Sequence, residues 1–464
     1  MTEPLWTSDA IVAATGGKLS GAPFTVDQVS IDSRALEGRD LFVALPGVRD
    51  GHDFVAAALA AGAAGALTTR PMDGSCVVVD DTLKALEKLG EAARDRAASA
   101  RRGAVTGSVG KTSVTQAVRA GLDLAGRAHG SVKSYNNHIG VPLTLARMPA
   151  ATQRAIFEIG MNHAGEIEPL TRMVRPHAVA ITTVGAVHTE NFPDGEAGVA
   201  RAKAEIFAGL QSGGPAILNA DDRWFEFLSG EARKAGATIR SFGAAGADAR
   251  LTGFEAGGAG ASVSATIDGR AVRFPLLQSG SHWGPMSLCV LLMLRALDVD
   301  LETGIAALGA FTPLAGRGAE REVRIAGGAF TLVDESYNAN PISMAATLKT
   351  LGARSAKGRR IAALTDMLEL GPKAAEYHAG LAAPIEAAKV DLVYCAGPMM
   401  KSLWEALPPT RRGGYAEDAA GLAPLVVRTV EPGDVVMVKG SNGSKAQAVA
   451  AALAAMDVGS GKGG

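Results

Sequence analysis

The sequence predicts an α/β protein built from three domains. Its 464 residues are too many for one hydrophobic core and suit about two to four domains. Apolar runs alternate with helical patterns over most of the chain, which is typical of parallel sheets covered by helices on both faces. We predict domains over residues 1–98, 99–313 and 314–464, each with a core of its own.

Short apolar runs mark the predicted strands of each domain. In the first domain they are QVSID, DLFVAL and CVVVDD, and LEKLGEAARDRAASARRG is predicted to be a helix that continues to residue 103. In the second they are AVTG, AIFEIG, AVAITTVG and PAILNA, followed by a hairpin about the turn dipeptide Asp268-Gly269. In the third they are FTLVDE, RIAALTD, DLVYCAG and DVVMVKG, and the tail GSGKGG is predicted to be a disordered end.

Composition excludes several classes of partner and location. The 46 basic and 47 acidic residues nearly balance, so nothing in the overall charge attracts nucleic acid or an anionic membrane. The apolar run LCVLLML is far too short to cross a bilayer and is predicted to be a buried helix. The N-terminus lacks a signal-peptide pattern, so we expect a cytoplasmic protein without membrane insertion. The single, scattered Cys76, Cys289 and Cys395 are expected to be free thiols in the core.

The segment GAVTGSVGKTSVTQAV, from Gly103 to Val118, has the character of a phosphate-binding loop. A predicted strand precedes its glycines and a predicted helix follows them, so free N–H groups and the helix dipole form an anion site there. Lys111 would meet the outer phosphates and the Thr112 hydroxyl would ligate Mg²⁺. The usual earlier glycine is missing, because residue 105 is Val. The alternative is a glycine-rich turn that happens to precede a lysine.

This shorter loop resembles the T-G-x-x-G-K-[ST] loop of the Mur ligase superfamily. Further segments resemble the family in the same order along nearly the whole chain: VSIDSRALEGRDLFVALPGVRDGHDFV, SYNNHIGVPLTL, EIGMNHAGEI, VGAVHTENF, AKAEIF, AGRG, DESYNANP and KGS. The resemblance implies a central P-loop-type ATP-binding domain between an N-terminal UDP-substrate-binding domain and a C-terminal Rossmann-like domain. It also implies a monomer.

The segment DESYNANP, from Asp334 to Pro341, indicates the branch of the family. It is similar to the signature of the ligases that join D-alanyl-D-alanine to UDP-N-acetylmuramoyl-tripeptide through an acyl phosphate. Two alternatives remain open: a Mur-type ligase that adds a single amino acid, and a nucleotide-binding scaffold without catalysis. The sequence leaves open whether the tripeptide ends in lysine or diaminopimelate.

The resemblance also implies which residues bind the two substrates. The expected ATP contacts are Gly107, Ser108, Val109, Gly110, Lys111, Thr112, Ser113, Arg317, Asp334 and Asn338. The expected contacts to the UDP-linked substrate are Ser33, Arg34, Asn136 and Asn137. Lys111 and Arg317 belong to different predicted domains, so a cleft must close over the nucleotide.

The expected catalytic residues are Lys111, Glu158, His188 and Lys203. Thr112 and Glu158 fit a first Mg²⁺ and His188 with Glu158 fits a second. The resemblance implies that Lys203 carries CO₂ as a carbamate, which would supply the oxygen ligands that Mg²⁺ prefers.

Two positions depart from the family pattern, and two histidines receive no role. Met286 stands where the family places an asparagine near adenine, in the segment that contains His282, and Asn442 stands where arginine is common. His163 and His378 lie in family-like segments but are assigned no catalytic function.

Overall fold

Three main sheets follow one another along the chain in the computed structural model, which describes residues 3–132, 134–187, 189–257 and 260–458. The α/β class is confirmed. The sheets span residues 18–78, 101–276 and 319–439, inside the three predicted domains, whose exact boundaries stay predictions.

The first sheet has the strand order β2-β7-β6-β5-β4 and is parallel except for β2. A short antiparallel pair, β1 with β3, lies beside it. The elements are β1 Trp6–Thr7, α1 Ser8–Thr15, β2 Lys18–Ser20, β3 Thr25–Val26, β4 Gln28–Ser30, β5 Asp40–Val43, α2 Val55–Ala60, β6 Gly65–Thr68, β7 Cys76–Val78 and α3 Thr82–Arg96.

Helix α3 ends seven residues before the predicted end at residue 103, so that prediction is wrong at its C-terminus. Arg101–Thr106 form a strand instead, pairing in parallel with residues 154–158. The guanidinium of Arg102 is buried and donates to the carbonyl oxygens of Val174 and Ala100. Tertiary hydrogen bonds therefore override the local helical preference of these basic residues.

The second sheet has nine strands in the order β16-β15-β14-β13-β12-β11-β8-β10-β9. It is parallel from β9 to β14 and ends in the antiparallel β15 and β16. The elements are β8 Arg101–Thr106, α4 Lys111–Ala125, β9 Ala128–Gly130, α5 Gly140–Ala146, β10 Arg154–Glu158, α6 Ile167–Val174, β11 Ala178–Ile181, α7 Glu196–Ala204, β12 Pro215–Asn219, α8 Phe225–Lys234, β13 Thr238–Gly243, β14 Ala249–Gly257, β15 Gly260–Ile267, β16 Arg270–Leu276, α9 Trp283–Ala296 and α10 Leu301–Ala310.

Both faces of the central parallel strands β8, β10 and β11 are buried, as predicted. Along β10, Ile156 packs into one apolar cluster while Phe157 packs into another on the opposite face. The hairpin turn is confirmed, since Asp268 and Gly269 both have positive φ, at 48° and 79°. The run LCVLLML lies in α9 and is buried, and no helix in the described part of the chain is long and apolar enough to cross a membrane.

The third sheet has the order β17-β18-β22-β19-β20-β21 and is parallel except for β17. Its elements are β17 Ala319–Ile325, β18 Gly328–Glu335, α11 Pro341–Ala353, β19 Arg360–Thr365, α12 Ala374–Ala379, α13 Ala382–Ala387, β20 Leu392–Ala396, α14 Met400–Ala406, β21 Arg412–Ala416, α15 Ala419–Val427, β22 Val435–Lys439 and α16 Gln447–Ala454. All three cysteines are free and buried, as expected. The tail from residue 459 onward lies outside the described residues.

The first sheet is docked on the second through α3 and α5. The Trp6 indole N–H donates to the Ala146 carbonyl at 2.8 Å, and the Arg96 guanidinium lies 4.0 Å from the centre of the Trp6 ring. Arg147, just after α5, donates to the Val29 carbonyl at 2.6 Å. These contacts hold the first domain against the C-terminal end of α5.

Candidate active site

Two glycines shape the loop between β8 and α4. Gly107 and Gly110 have φ of 149° and 87°, a region that side-chain-bearing residues rarely adopt. A Cβ at Gly107 would lie 1.9 Å from Thr182 Oγ1, and one at Gly110 would lie 2.4 Å from Met286 Cε. The backbone conformation therefore favours glycine at both positions, and the strand before the loop and the helix after it lie where they were predicted.

The loop is also held by hydrogen bonds to the end of β11. The Ser108 N–H donates to the Thr183 carbonyl at 2.7 Å, and the Thr182 hydroxyl donates to the Val109 carbonyl at 2.5 Å. Gly110 is the N-cap of the 15-residue helix α4, so the helix begins at the loop with its positive end toward the crevice. This geometry suits an anion.

Lys111 and Thr112 begin α4 on the crevice side. The Lys111 ammonium donates to the Gly107 carbonyl at 2.7 Å. Burial lowers the pKa of Lys111, and Glu158 and Arg317 then act in opposite directions on it. Thr112 is buried, and its hydroxyl oxygen lies 3.3 Å from Ser134 Oγ.

Glu158 ends β10 and is 1% exposed. Its Oε1 accepts from the Asn136 amide at 2.6 Å, and the Glu158 N–H donates to Ser131 Oγ at 3.1 Å. The buried Oε2 has no hydrogen-bond partner among the described residues. Leaving a buried carboxylate oxygen unpaired is costly, so this oxygen has the character of a cation ligand.

Lys203 lies in α7 and is 2% exposed. Burial lowers its pKa well below the usual 10.5, and the nearby positive charge of Lys111 lowers it further. An amine held uncharged is the form that reacts with CO₂. His188, the other expected catalytic residue, lies outside the described residues.

The third domain supplies the opposite wall of the crevice. The Arg317 guanidinium lies 4.1 Å from the centre of the Tyr337 ring. The Asn338 carbonyl accepts from the Lys439 ammonium at 2.9 Å, and Lys439 Nζ lies 3.5 Å from Glu335 Oε2. Burial lowers the pKa of Lys439, while the carboxylate of Glu335 opposes that shift.

The two walls enclose a cavity of about 400 Å³. Ten of the residues that the sequence singled out line it: Ser108, Val109, Gly110, Lys111, Thr112, Ser113, Asn136, Glu158, Arg317 and Asn338. Met286 lines it as well, so the departure from the family pattern falls inside the cavity.

Four other expected site residues lie outside the lining of this cavity: Gly107, Asn137, Lys203 and Asp334. The Asp334 carboxylate accepts from the Gly316 and Ser336 N–H groups, so it holds the turn that carries Arg317. Asn137 accepts from the Gly140 N–H at 2.9 Å at the start of α5. The expected roles of both residues in substrate binding stay predictions.

The expected UDP contacts, Ser33 and Arg34, lie in the first domain after β4. Arg34 is exposed and pairs with Asp32 at 2.8 Å, and the hydrogen bond to that carboxylate raises its pKa. The expected role of both residues in substrate binding stays a prediction.

Sequence reasoning gave no role to Ser134 and Lys439, which both line the cavity. Both lie at or just beyond the carboxyl end of a strand: Ser134 comes after β9 of the second sheet, to which Glu158 also belongs, and Lys439 ends β22 of the third sheet. Position at the carboxyl end of a parallel strand, inside a family-like segment, was the signal that could have found them.

The histidines without an assigned role make ordinary contacts. His378 is fully buried, accepts from the Met367 N–H at 2.9 Å and lies 2.6 Å from the Ala374 carbonyl. Burial lowers its pKa. The exposed His163 pairs with Glu166 at 3.0 Å.

Comparison with known proteins places most of the chain in one family. Three family models match in succession: "Mur ligase family, catalytic domain" over residues 25–106, "Mur ligase middle domain" over 105–292 and "Mur ligase, glutamate ligase domain" over 321–442. The UDP-N-acetylmuramoyl-tripeptide–D-alanyl-D-alanine ligase of Escherichia coli K12 is 32% identical over 94% of this chain and 96% of its own. The Bacillus subtilis enzyme of that name is 31% identical over 91% and 92%.

Solved structures agree with this assignment. A crystal structure of MurF from Acinetobacter baumannii is 28% identical, covers 98% of this chain and 99% of its own, and superposes with a TM-score of 0.85. MurF from Thermotoga maritima, crystallised with ADP, shares the fold at 23% identity and a TM-score of 0.77, over 92% of this chain and 97% of its own. The chain therefore belongs to the Mur ligase family.

Proposed function

We propose that this chain joins D-alanyl-D-alanine to UDP-N-acetylmuramoyl-tripeptide in an ATP-dependent reaction. The observation that carries the proposal is one cavity lined by the phosphate loop, by Glu158 and by the turn of the DESYNANP segment. The E. coli and B. subtilis relatives bear the name of this reaction over more than nine tenths of the chain.

In this reaction, a carboxylate oxygen of the tripeptide attacks the terminal phosphorus of ATP, and ADP leaves. The amine of the dipeptide then attacks the acyl carbon of the resulting acyl phosphate, loses a proton and expels phosphate, which leaves an amide bond. Both steps transfer negative charge between oxygens, so the protein's task is to hold cations and N–H groups along the path of that charge.

The residues of the cavity are suited to that task. The loop N–H groups and the Lys111 ammonium would face the phosphates from one wall of the cavity, and the Arg317 guanidinium would face them from the other. ATP is the proposed nucleotide because the phosphate loop has the required geometry and because the T. maritima relative was crystallised with ADP. Ser108, Val109, Ser113 and Asn338 would complete the nucleotide site, with Asp334 fixing the turn behind Arg317.

Mg²⁺ fits the donors at this site, because the buried Glu158 Oε2 lacks a partner among the described residues. Thr112, Glu158, His188 and Lys203 would hold two ions, with Lys203 as a carbamate. Bound Mg²⁺ would neutralise charge on the phosphates. Without that modification, Lys203 would offer an amine and no oxygen ligand to Mg²⁺.

The three predicted domains divide the substrates in this proposal. Residues 1–98 would bind the UDP moiety through Ser33 and Arg34, residues 99–313 would bind ATP, and residues 314–464 would close over the nucleotide. Asn136 and Asn137 would orient the tripeptide beside Glu158. We propose a monomer that acts in the cytoplasm, where ATP and a nucleotide-linked precursor are both at hand.

The test is a product analysis with purified protein, ATP and Mg²⁺. UDP-N-acetylmuramoyl-tripeptide ending in lysine or in diaminopimelate is supplied separately, each with D-alanyl-D-alanine or with single amino acids. We expect ADP, phosphate and a UDP-pentapeptide, identified by mass, with one of the tripeptides. Turnover with a single amino acid and none with the dipeptide would assign another Mur-type activity, and binding of ATP without any turnover would indicate a scaffold.

A further inference from the structure

Ser134 lies where the phosphate loop meets the turn that carries Arg317. It belongs to the loop between β9 and α5, and its hydroxyl has polar contacts with three side chains. Tyr337 donates to Ser134 Oγ at 2.9 Å, Arg317 donates at 3.4 Å, and Thr112 Oγ1 lies 3.3 Å away. The Ser134 hydroxyl thus links three residues that lie far from it in the sequence: Thr112 is 22, Arg317 is 183 and Tyr337 is 203 positions away.

The hydrogen-bonding capacity of each group decides which one donates and which one accepts in these contacts. A serine hydroxyl has one hydrogen to donate and two lone pairs to accept with. A guanidinium can only donate, and the Tyr337 hydroxyl also donates, so both lone pairs of Ser134 are used by the third domain. The hydrogen of Ser134 is left for Thr112 Oγ1, which accepts it with one of its own lone pairs.

Nucleotide binding would change this arrangement at two points together. Arg317 would turn its N–H groups to the phosphates, which frees a lone pair on Ser134 Oγ. Thr112 could then donate its hydrogen into that lone pair and present its own lone pairs to a cation. The departure of Arg317 from Ser134 Oγ favours donation by Thr112, and donation by Thr112 favours the departure of Arg317, because the two groups compete for the same lone pair on Ser134 Oγ.

We propose that Ser134 is a positioning residue that couples the engagement of Arg317 with phosphate to the engagement of Thr112 with the cation. Tyr337 holds the Ser134 hydroxyl in place for this exchange. The inference rests on the proposed ATP site, and it adds a residue through which the two domains act together on the nucleotide.

The experiment measures the affinity for ADP by calorimetry, in Mg²⁺ and in EDTA, for wild type, Ser134→Ala, Tyr337→Phe and the double variant. We expect each single variant to weaken Mg²⁺-ADP binding about five- to tenfold, the effect of about one hydrogen bond. The double variant should bind about as well as either single one, because the two changes break the same link. In EDTA the loss for Ser134→Ala should shrink to about twofold, because Thr112 then has no cation to face.

The control is Tyr415→Phe, which removes a hydroxyl that donates to the Gly397 carbonyl at 3.2 Å within the third sheet. Any effect of Tyr415→Phe on the affinity for Mg²⁺-ADP should add to the effect of Ser134→Ala. Ser134→Thr keeps a hydroxyl and should recover most of the lost affinity, which a mere packing role for Ser134 would not predict.

The proposal is overturned if Ser134→Ala binds Mg²⁺-ADP as tightly as wild type does. It is also overturned if the losses of affinity in Ser134→Ala and Tyr337→Phe add up in the double variant, or if Ser134→Ala loses as much affinity for ADP in EDTA as in Mg²⁺. Wild-type protein that binds the nucleotide but forms no peptide bond refutes the proposed function while these binding data still decide the role of Ser134. Wild-type protein that binds no nucleotide overturns both.

Discussion

Replacing Lys203 separates catalysis from stability. The side chain is 2% exposed, and burial holds its pKa well below 10.5. In the proposed site its amine combines with CO₂, releases a proton and becomes an anionic carbamate. Removing one electrostatic contact of this kind typically costs about 10²–10³ in rate, so Lys203→Met and Lys203→Ala should both lose at least that much turnover.

Stability should change differently in the two variants. Alanine removes three buried methylenes, each contributing about 0.8 kcal/mol, so Lys203→Ala should lower the free energy of unfolding by about 2–3 kcal/mol. Methionine keeps the volume and removes a buried amine, so Lys203→Met should be at least as stable as wild type at neutral pH. Without CO₂, the unmodified Lys203 binds a proton more tightly in the unfolded chain than in the folded one, because burial lowers its pKa. The free energy of unfolding of wild type should therefore rise as the pH increases toward 10.5.

The assays are turnover and thermal unfolding, each with and without bicarbonate. Bicarbonate should raise the melting temperature of wild type and leave that of Lys203→Met unchanged, because only the native lysine binds CO₂. Acetate or formate should partly restore turnover to Lys203→Ala by occupying the vacated space. Near-normal turnover of Lys203→Met in any buffer would refute a catalytic carbamate.

Three further predictions follow from the same structure. Lys111→Ala and Thr112→Ala should each lower turnover about 10²–10³-fold, through loss of a phosphate-facing charge and of a proposed Mg²⁺ ligand; wild-type turnover by either variant would contradict the phosphate-loop assignment. X-ray scattering should give a smaller radius of gyration with ATP analogue and UDP-tripeptide than without ligands, because a nucleotide that contacts both Lys111 and Arg317 would hold the second and third domains together; an unchanged profile at saturation would contradict closure. Burial raises the pKa of Asp434, but hydrogen bonds from Arg359 and backbone N–H groups outweigh this and lower it below its usual value. Asp434→Ala should therefore lower the free energy of unfolding by about 2–3 kcal/mol at pH 7. This is less than for a fully buried ion pair, because Arg359 is partly exposed. In chemical denaturation, the difference between the variant and wild type should shrink as the pH falls below about 4.

The sequence alone was sufficient for the features that depend on neighbouring residues. The phosphate loop is a strand, a turn and a helix within residues 101–125, so its glycines, Lys111 and Thr112 could be recognised together. The hairpin at Asp268-Gly269 and most strands of the three sheets were likewise predicted from local patterns. The family-like segments indicated the order of the domains and the nature of the substrates.

Tertiary structure decided what depends on distant parts of the chain. The end of α3 at Arg96 follows from the pairing of residues 101–106 with strands farther along the chain, which no local pattern of small and basic residues reveals. Ser134 meets Arg317 and Tyr337 only because the second and third domains face each other across the cavity. The depressed pKa of Lys203 also depends on the fold, because burial and the charge of a residue 92 positions away both come from packing. Hydrogen bonds and desolvation act through space, so a linear sequence specifies the groups and the folded chain specifies which of them meet.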